Sequence, residues 1–300
     1  MQHPSPAMQL GHALPRVVPL HRDFGVRVTG FAPDLLHADA FAGFLHELVD
    51  EHSLVLLPGQ HLDDAAQLAL SRRLGEPEPN PQVLALDGRI DPFVTIGARG
   101  THPPDGEATA AHLPWLAGGR EWHSDAWFRP APGTLSLVHA RAVPVVGDRT
   151  AFASTRAAHA RLPPEMRQLI APLRVLHHPP HLHPAQLDPG RARPHAAWPV
   201  PVEHPLVRTH PRNGTASYFV GSHAQAIVGW HPEEGRLLLD ELQAHATADE
   251  HVLEHAWQPG DLMLWDGRCL LQRDLAGAAV VPGVQLRKTC VRSEAHAGSR

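Results

Sequence analysis

A mainly β fold with flanking helices and a jelly-roll core is predicted by three observations. Short apolar runs recur along the chain, most of them closed by Pro, Gly, Asn or Asp. The few segments with helical spacing are mostly flanking, and strands dominate the second half. No internal repeat and no linker divides the 300 residues. The expected organisation is an irregular lead-in over 1–20 and a single domain over 21–300, with lid loops at 77–120 and 177–203.

The elements follow in order. DAFAGFLHELVDEH, 39–52, carries apolar residues at 41, 44, 45, 48 and 49, a helical stripe. SLVLLPGQ, 53–60, is an apolar run closed by Pro-Gly and reads as a buried strand. DDAAQLALSRRLGE, 63–76, opens on aspartates and ends at Gly75, a capped helix. Residues 77–120 are rich in Pro and Gly around one strand, FVTIG, 93–97. TLSLVHARAVP, 134–144, and TAFAS, 150–154, are strands. Residues 155–173 form a helical hairpin broken at Pro163-Pro164. The His- and Pro-rich tract 177–201 excludes regular structure. HPLVRTHPRNGTASYFVG, 204–221, is a hairpin with Asn213-Gly214 at its turn. HPEEGRLLLDELQAHATADE, 231–250, is an amphipathic helix. WQPGDLMLWDGRCLL, 257–271, gives two strand pieces around Trp-Asp-Gly, and QLRKTCV, 285–291, is the last strand.

Composition narrows the class of function. With 43% hydrophobic and 19% charged residues the chain reads as soluble and globular. A net charge of -5 gives no footprint for nucleic acid or an anionic membrane. The N-terminus lacks the apolar core of a signal peptide, and no apolar run reaches the roughly 20 residues that span a bilayer. Cys269 and Cys290 have no metal-type spacing and fit a reducing cytoplasm. A small-molecule partner is expected, and a homo-oligomer is left open.

One short motif carries chemistry. EWHSDAWF, 121–128, holds His123 and Asp125 as H-x-D. On an extended strand, residues i and i+2 point to one side, so an imidazole and a carboxylate converge. With a third ligand from a distant strand they make one face of a non-haem Fe(II) site. The chain has 25 histidines and also His37-Ala38-Asp39, so the pair alone is a weak signal. Its surroundings add weight. EWHSDAWF is followed in order by P-x-x-G-D-R-T-A-F (144–152), HPLVRTHPRNG (204–214), the 231–250 helix with its HAT end and WQPGDLMLWDGRC (257–269).

That series resembles the taurine dioxygenase superfamily, in particular its 2,4-dichlorophenoxyacetate dioxygenase branch, over about residues 24–292. The resemblance implies a double-stranded β-helix, or cupin-like, core. It implies Fe(II), 2-oxoglutarate and O2, acting to hydroxylate a small, anionic organic substrate. It assigns His123 and Asp125 as the first two iron ligands and Thr150 to 2-oxoglutarate.

Three positions depart from the family pattern. Where the family has its last histidine ligand this chain has Gln272, whose amide oxygen reaches about as far as the imidazole nitrogen. Where the family has the arginine that pairs with 2-oxoglutarate it has Val284, with Arg287 or Arg273 left to substitute. Lys288, the chain's only lysine, stands where some members use an arginine to hold the substrate anion. It offers a point charge in place of a fork. Three readings follow: a 2-oxoglutarate-dependent oxygenase with a His-Asp-Gln site, an iron oxygenase that does without 2-oxoglutarate, and a catalytically inactive binding module.

Overall fold

The computed structural model describes residues 15–78, 93–96, 121–125, 135–143, 149–178, 201–275 and 285–292. The chain begins with an antiparallel pair, β1 (Arg16–Pro19) and β2 (Val26–Thr29). Positions 1–14 lie outside the described residues, and β1 corrects the expectation of an irregular lead-in over 1–20 at Arg16–Pro19. Its partner lies seven residues beyond its end, and as an edge strand it tolerates Pro19, which lacks an N–H.

Helix α1 (Asp39–His52) has the predicted boundaries and buries Phe41, Phe44, Leu45, Leu48 and Val49 on one stripe. Ser53, at φ 67°, caps it in the left-handed region and turns the chain into β3 (Leu54–Leu57). Helix α2 (Asp64–Leu74) starts where the Asp63 carboxylate accepts the Ala66 N–H at 2.7 Å, and it ends at Gly75.

β4 (Glu76–Pro77), β5 (Phe93–Ile96), β6 (Leu135–Ala142) and β7 (Arg149–Ser154) lead to two short helices, α3 (Thr155–Arg161) and α4 (Pro164–Ile170). These are the hairpin split at Pro163-Pro164. β8 (Arg174–His177) and β9 (Val202–Pro205) precede the hairpin β10 (Val207–Thr209) and β11 (Ala216–Tyr218). Its loop is wider than the two-residue turn that Asn213-Gly214 suggests. His210 pairs with Thr215 across it, and Gly214 sits at φ 70°. β12 (Ala224–Ile227), α5 (Pro232–Ala246), β13 (Val252–Ala256), β14 (Leu262–Asp266), β15 (Leu270–Asp274) and β16 (Gln285–Arg292) complete the order.

Two sheets face each other as a jelly-roll core. The larger runs β1-β2-β3-β14-β6-β16-β4, with β5 also paired to β16; the smaller runs β13-β7-β15. Between them lie Phe152, Trp257, Trp265, Met263, Leu270 and Leu286. α1 and α2 cover the outside of the larger sheet through Phe41, Leu45, Leu70, Leu137 and Val291. Behind the smaller sheet, Ala151, Ala153 and Leu271 pack with Ala158, Ile170 and Leu239 of α3, α4 and α5. β7 shows the strand period directly: Phe152 points inward and its neighbours Ala151 and Ala153 point to the helices.

The turn Trp265–Arg268 carries the chain from the larger sheet to the smaller, because β14 and β15 pair with different partners. Asp266 in that turn is 0% exposed. Its Oδ1 accepts Arg268 N–H and Nε–H, both at 2.8 Å, and its Oδ2 accepts Arg268 Nη2–H at 2.9 Å and His210 Nε2–H at 3.1 Å. Burial alone would raise its pKa, but the Arg268 guanidinium outweighs that and holds the carboxyl well below the usual carboxylate range. A group depressed in the folded state stabilises above its unfolded pKa, about 3.9, and that stability is lost as pH falls toward the folded value. Asp266→Asn is therefore expected to lower stability by about 3–5 kcal/mol at pH 7. Urea denaturation should show the gap from wild type narrowing as pH falls below about 5.

Candidate active site

Residues 121–125 run beside β15. His123 and Gln272 face each other as an antiparallel pair: His123 N–H donates to Gln272 O at 3.0 Å and Gln272 N–H to His123 O at 2.8 Å. Directly opposed residues place their side chains on the same face. Ser124 locks the segment by donating Oγ–H to Leu270 O at 2.9 Å and N–H to His223 Nε2 at 3.2 Å. The H-x-D motif is thus a single bridge followed by a turn, where the sequence suggested an extended strand. The turn carries Asp125 across to the larger sheet. There Ser136 Oγ of β6 donates to Asp125 Oδ2 at 2.5 Å, and Lys288 Nζ of β16 donates to Oδ1.

His123 Nδ1 lies 2.8 Å from Glu121 O. A carbonyl only accepts, so the proton is on Nδ1 and the Nε2 lone pair is left for the site. The Gln272 amide faces both side chains, with Nε2 2.9 Å from Asp125 Oδ1 and 3.4 Å from His123 Nε2. Both neighbours are acceptors, which assigns the nitrogen end to them. An imidazole nitrogen, a carboxylate oxygen and an amide therefore converge between the two sheets. This donor set fits a divalent first-row metal once the amide turns its oxygen inward. Among the described residues, no group of three or more His, Cys, Asp and Glu could hold a metal ion, and the side chain beside His123 and Asp125 is the Gln272 amide.

The charges are balanced. Burial would raise the Asp125 pKa, but the Lys288 ammonium outweighs it and holds the carboxyl below its ordinary value. Burial would likewise lower Lys288, and the Asp125 carboxylate raises it. Both groups are charged at neutral pH.

Thr150 of β7 pairs with Asp274 of β15 two places from the Phe152–Gln272 pair, so it shares the face of Gln272. Its Oγ1 accepts Trp257 Nε1–H at 2.9 Å. Arg287 is not brought into the site. It stands on the opposite face of β16 from Lys288 and pairs with Asp64 of α2, Nη2 to Oδ2 at 2.8 Å. Strand alternation is the reason: Leu286 and Lys288 face the interior, Arg287 and Thr289 face α2. Arg273 also leaves the site, its guanidinium 4.6 Å from the centroid of the Trp122 ring. Val284 lies outside the described residues, as do Trp127 and most of 77–120 and 177–203.

Several supporting residues had no sequence signal. Ser136 belongs to no motif. His223 is one of 25 histidines; its Nε2 accepts from Ser124, so its Nδ1–H donates to His177 Nδ1 at 2.7 Å. Burial keeps both rings neutral, with His177 lowered to about 2. Gly221, at φ 137°, passes over the motif: a Cβ there would stand 3.0 Å from Trp122 O and 3.3 Å from His123 Cα.

Residues 16–271 match the taurine catabolism dioxygenase TauD, TfdA family. The match stops one residue before Gln272. An (S)-phenoxypropionate/alpha-ketoglutarate-dioxygenase of Sphingobium herbicidovorans is 32% identical over 86% of this chain and 88% of its own length. An alpha-ketoglutarate-dependent 2,4-dichlorophenoxyacetate dioxygenase of a Burkholderia species is 32% identical over 75% of this chain and 77% of its own. The crystal structure of AAD-2 in complex with Mn(II) and N-oxalylglycine superposes with a TM-score of 0.76 and 28% identity, covering 93% of this chain and 97% of that one.

Gly221→Ala combines a strained φ with contact against the His123 backbone. It is expected to cost about 1–3 kcal/mol, measured by thermal unfolding.

Proposed function

This chain belongs to the TauD, TfdA family, whose members use Fe(II) and 2-oxoglutarate, and on that premise we propose that it oxidises a small organic anion with O2. The observation that carries the reading is the convergence of His123, Asp125 and Gln272 between the two sheets. Relatives named for phenoxypropionate, 2,4-dichlorophenoxyacetate and sulfate esters support an anionic substrate. No described helix is long and apolar enough to cross a membrane. We take residues 21–300 as one domain working in the cytoplasm.

In this reading His123 Nε2, an Asp125 oxygen and the Gln272 amide oxygen hold the iron. The metal with 2-oxoglutarate supplies O2 activation. The chain's own residues set the surroundings. Glu121 O keeps the His123 lone pair directed inward, and Ser136 fixes the rotation of the Asp125 carboxylate. Phe152, Trp265 and Leu286 make an apolar interior that excludes bulk water. Thr150 offers its hydroxyl to 2-oxoglutarate. Lys288 supplies the positive charge that meets an organic anion, since Arg287 is engaged by Asp64 on the other face. An ammonium can serve anions of several shapes, whereas a guanidinium fork favours a planar carboxylate.

The test is an anaerobic titration of Fe(II) with and without 2-oxoglutarate, followed by O2 uptake with phenoxyacetates and alkyl sulfates. A visible charge-transfer band that needs both components, lost in Asp125→Ala, is the expected result. Absence of the band and of any O2 uptake would overturn the reading. Gln272→His restores an imidazole to the site and should tighten Fe(II) binding by about 10–100-fold, measured in the same titration.

A further inference from the structure

Lys288 is the chain's only lysine, and its ammonium is engaged by a carboxylate in the proposed metal site. The two side chains are 9% and 14% exposed, so solvent screens the pair little. The contact is selective within the carboxylate. Oδ2 is taken by Ser136, while Oδ1 receives both Lys288 and Gln272. Oδ1 is therefore the oxygen on the side where the donors converge. A divalent ion and an ammonium cannot both occupy that position without strong repulsion at short range and low dielectric.

We propose that Lys288 competes with the divalent metal for Asp125, as an internal cation that must leave Oδ1 before the metal is bound. The inference rests on the metal reading of this site. Three features fit such a role. The lysine stem is flexible and its charge is a point, so it can withdraw by rotation, where an arginine fork would hold both carboxylate oxygens. The Trp265 ring offers a resting face, with its centroid 5.1 Å from Nζ. Asp274, on the same face of β15 as Gln272, also attracts the ammonium, while Leu286 and Phe152 line the interior beside it. A displaced ammonium keeps the Asp274 carboxylate within electrostatic reach and gains a closer partner when an organic anion arrives. Metal and anion then favour each other's binding, as linkage requires for two ligands that meet through one shared group.

The first test is Mn(II) binding by electron paramagnetic resonance to wild type, Lys288→Met and Asp125→Ala, with circular dichroism to establish folding. The Asp125-dependent site should bind Mn(II) at least about fivefold more tightly in Lys288→Met than in wild type. Equal affinity overturns the competition and leaves the metal reading intact. No Asp125-dependent binding in either protein overturns the metal reading and the competition with it.

A second measurement needs no change at position 288. A chain with one lysine, labelled with 13C-lysine, gives one Cε–Hε signal. Zn(II) should shift that signal in wild type, at concentrations where it displaces Mn(II) from the Asp125 site. It should leave the signal in place in His123→Ala, which keeps the other histidines. A wild-type signal that stays unmoved while the site fills overturns the proposal.

Discussion

The buried carboxylate of Asp266 is the constraint on which the architecture turns. It accepts three bonds from Arg268 and one from His210, and its own N–H reaches Ser53 O at the end of α1. An ionised carboxylate with 0% exposure is tolerable only when its acceptor sites are filled by charged or strong donors. Filling them fixes the turn between β14 and β15, and so fixes where the chain leaves the larger sheet. Six residues after Asp266, Gln272 stands opposite His123. The scaffold charge thus determines the register of the site residue.

The site itself depends on both sheets. His123 and Gln272 belong to the edge of the smaller sheet, whereas Ser136 and Lys288 belong to the larger. Asp125 spans the gap because the motif turns after the bridge instead of continuing as a strand. Every polar atom of its carboxylate is used: Oδ2 by Ser136, Oδ1 by Gln272 and Lys288. The geometry of the site is consequently set by contacts between elements far apart in sequence, and apolar packing of Phe152 and Trp265 keeps those elements at a fixed separation.

Much of this is legible in the sequence where the signal is local. The stripe at 41, 44, 45, 48 and 49 defines α1, and Asp63 with Gly75 brackets α2, because caps and 3.6-residue spacing act within a few residues. β1, β8, β9, β12 and β13 escape such reading, since short strands are defined by partners elsewhere. At the site, His123 and Asp125 are accessible through a motif, and Gln272 through the resemblance to the family's closing turn. Arg287 and Lys288 are not separable that way. They are adjacent, both basic, and one faces α2 while the other faces the interior. Only the inward position of Leu286 settles the parity. Ser136, Ser124 and Gly221 act through cross-strand or backbone contacts and have no sequence signature.

Two buried carboxylates, Asp266 and Asp125, are neutralised in different ways, and the difference separates scaffold from site. Asp266 meets a guanidinium that binds both oxygens at once, closes on its own backbone N–H and is backed by a histidine. Nothing in that arrangement can leave without stranding a charge in a position closed to water. Asp125 meets a single ammonium on one oxygen, beside a neutral amide, with an aromatic face nearby. Removing that ammonium strands a charge only until another cation takes Oδ1. The first neutralisation is permanent because it is multidentate. The second is monodentate and so leaves the carboxylate open to a change of cation, which is what the proposed metal reading requires.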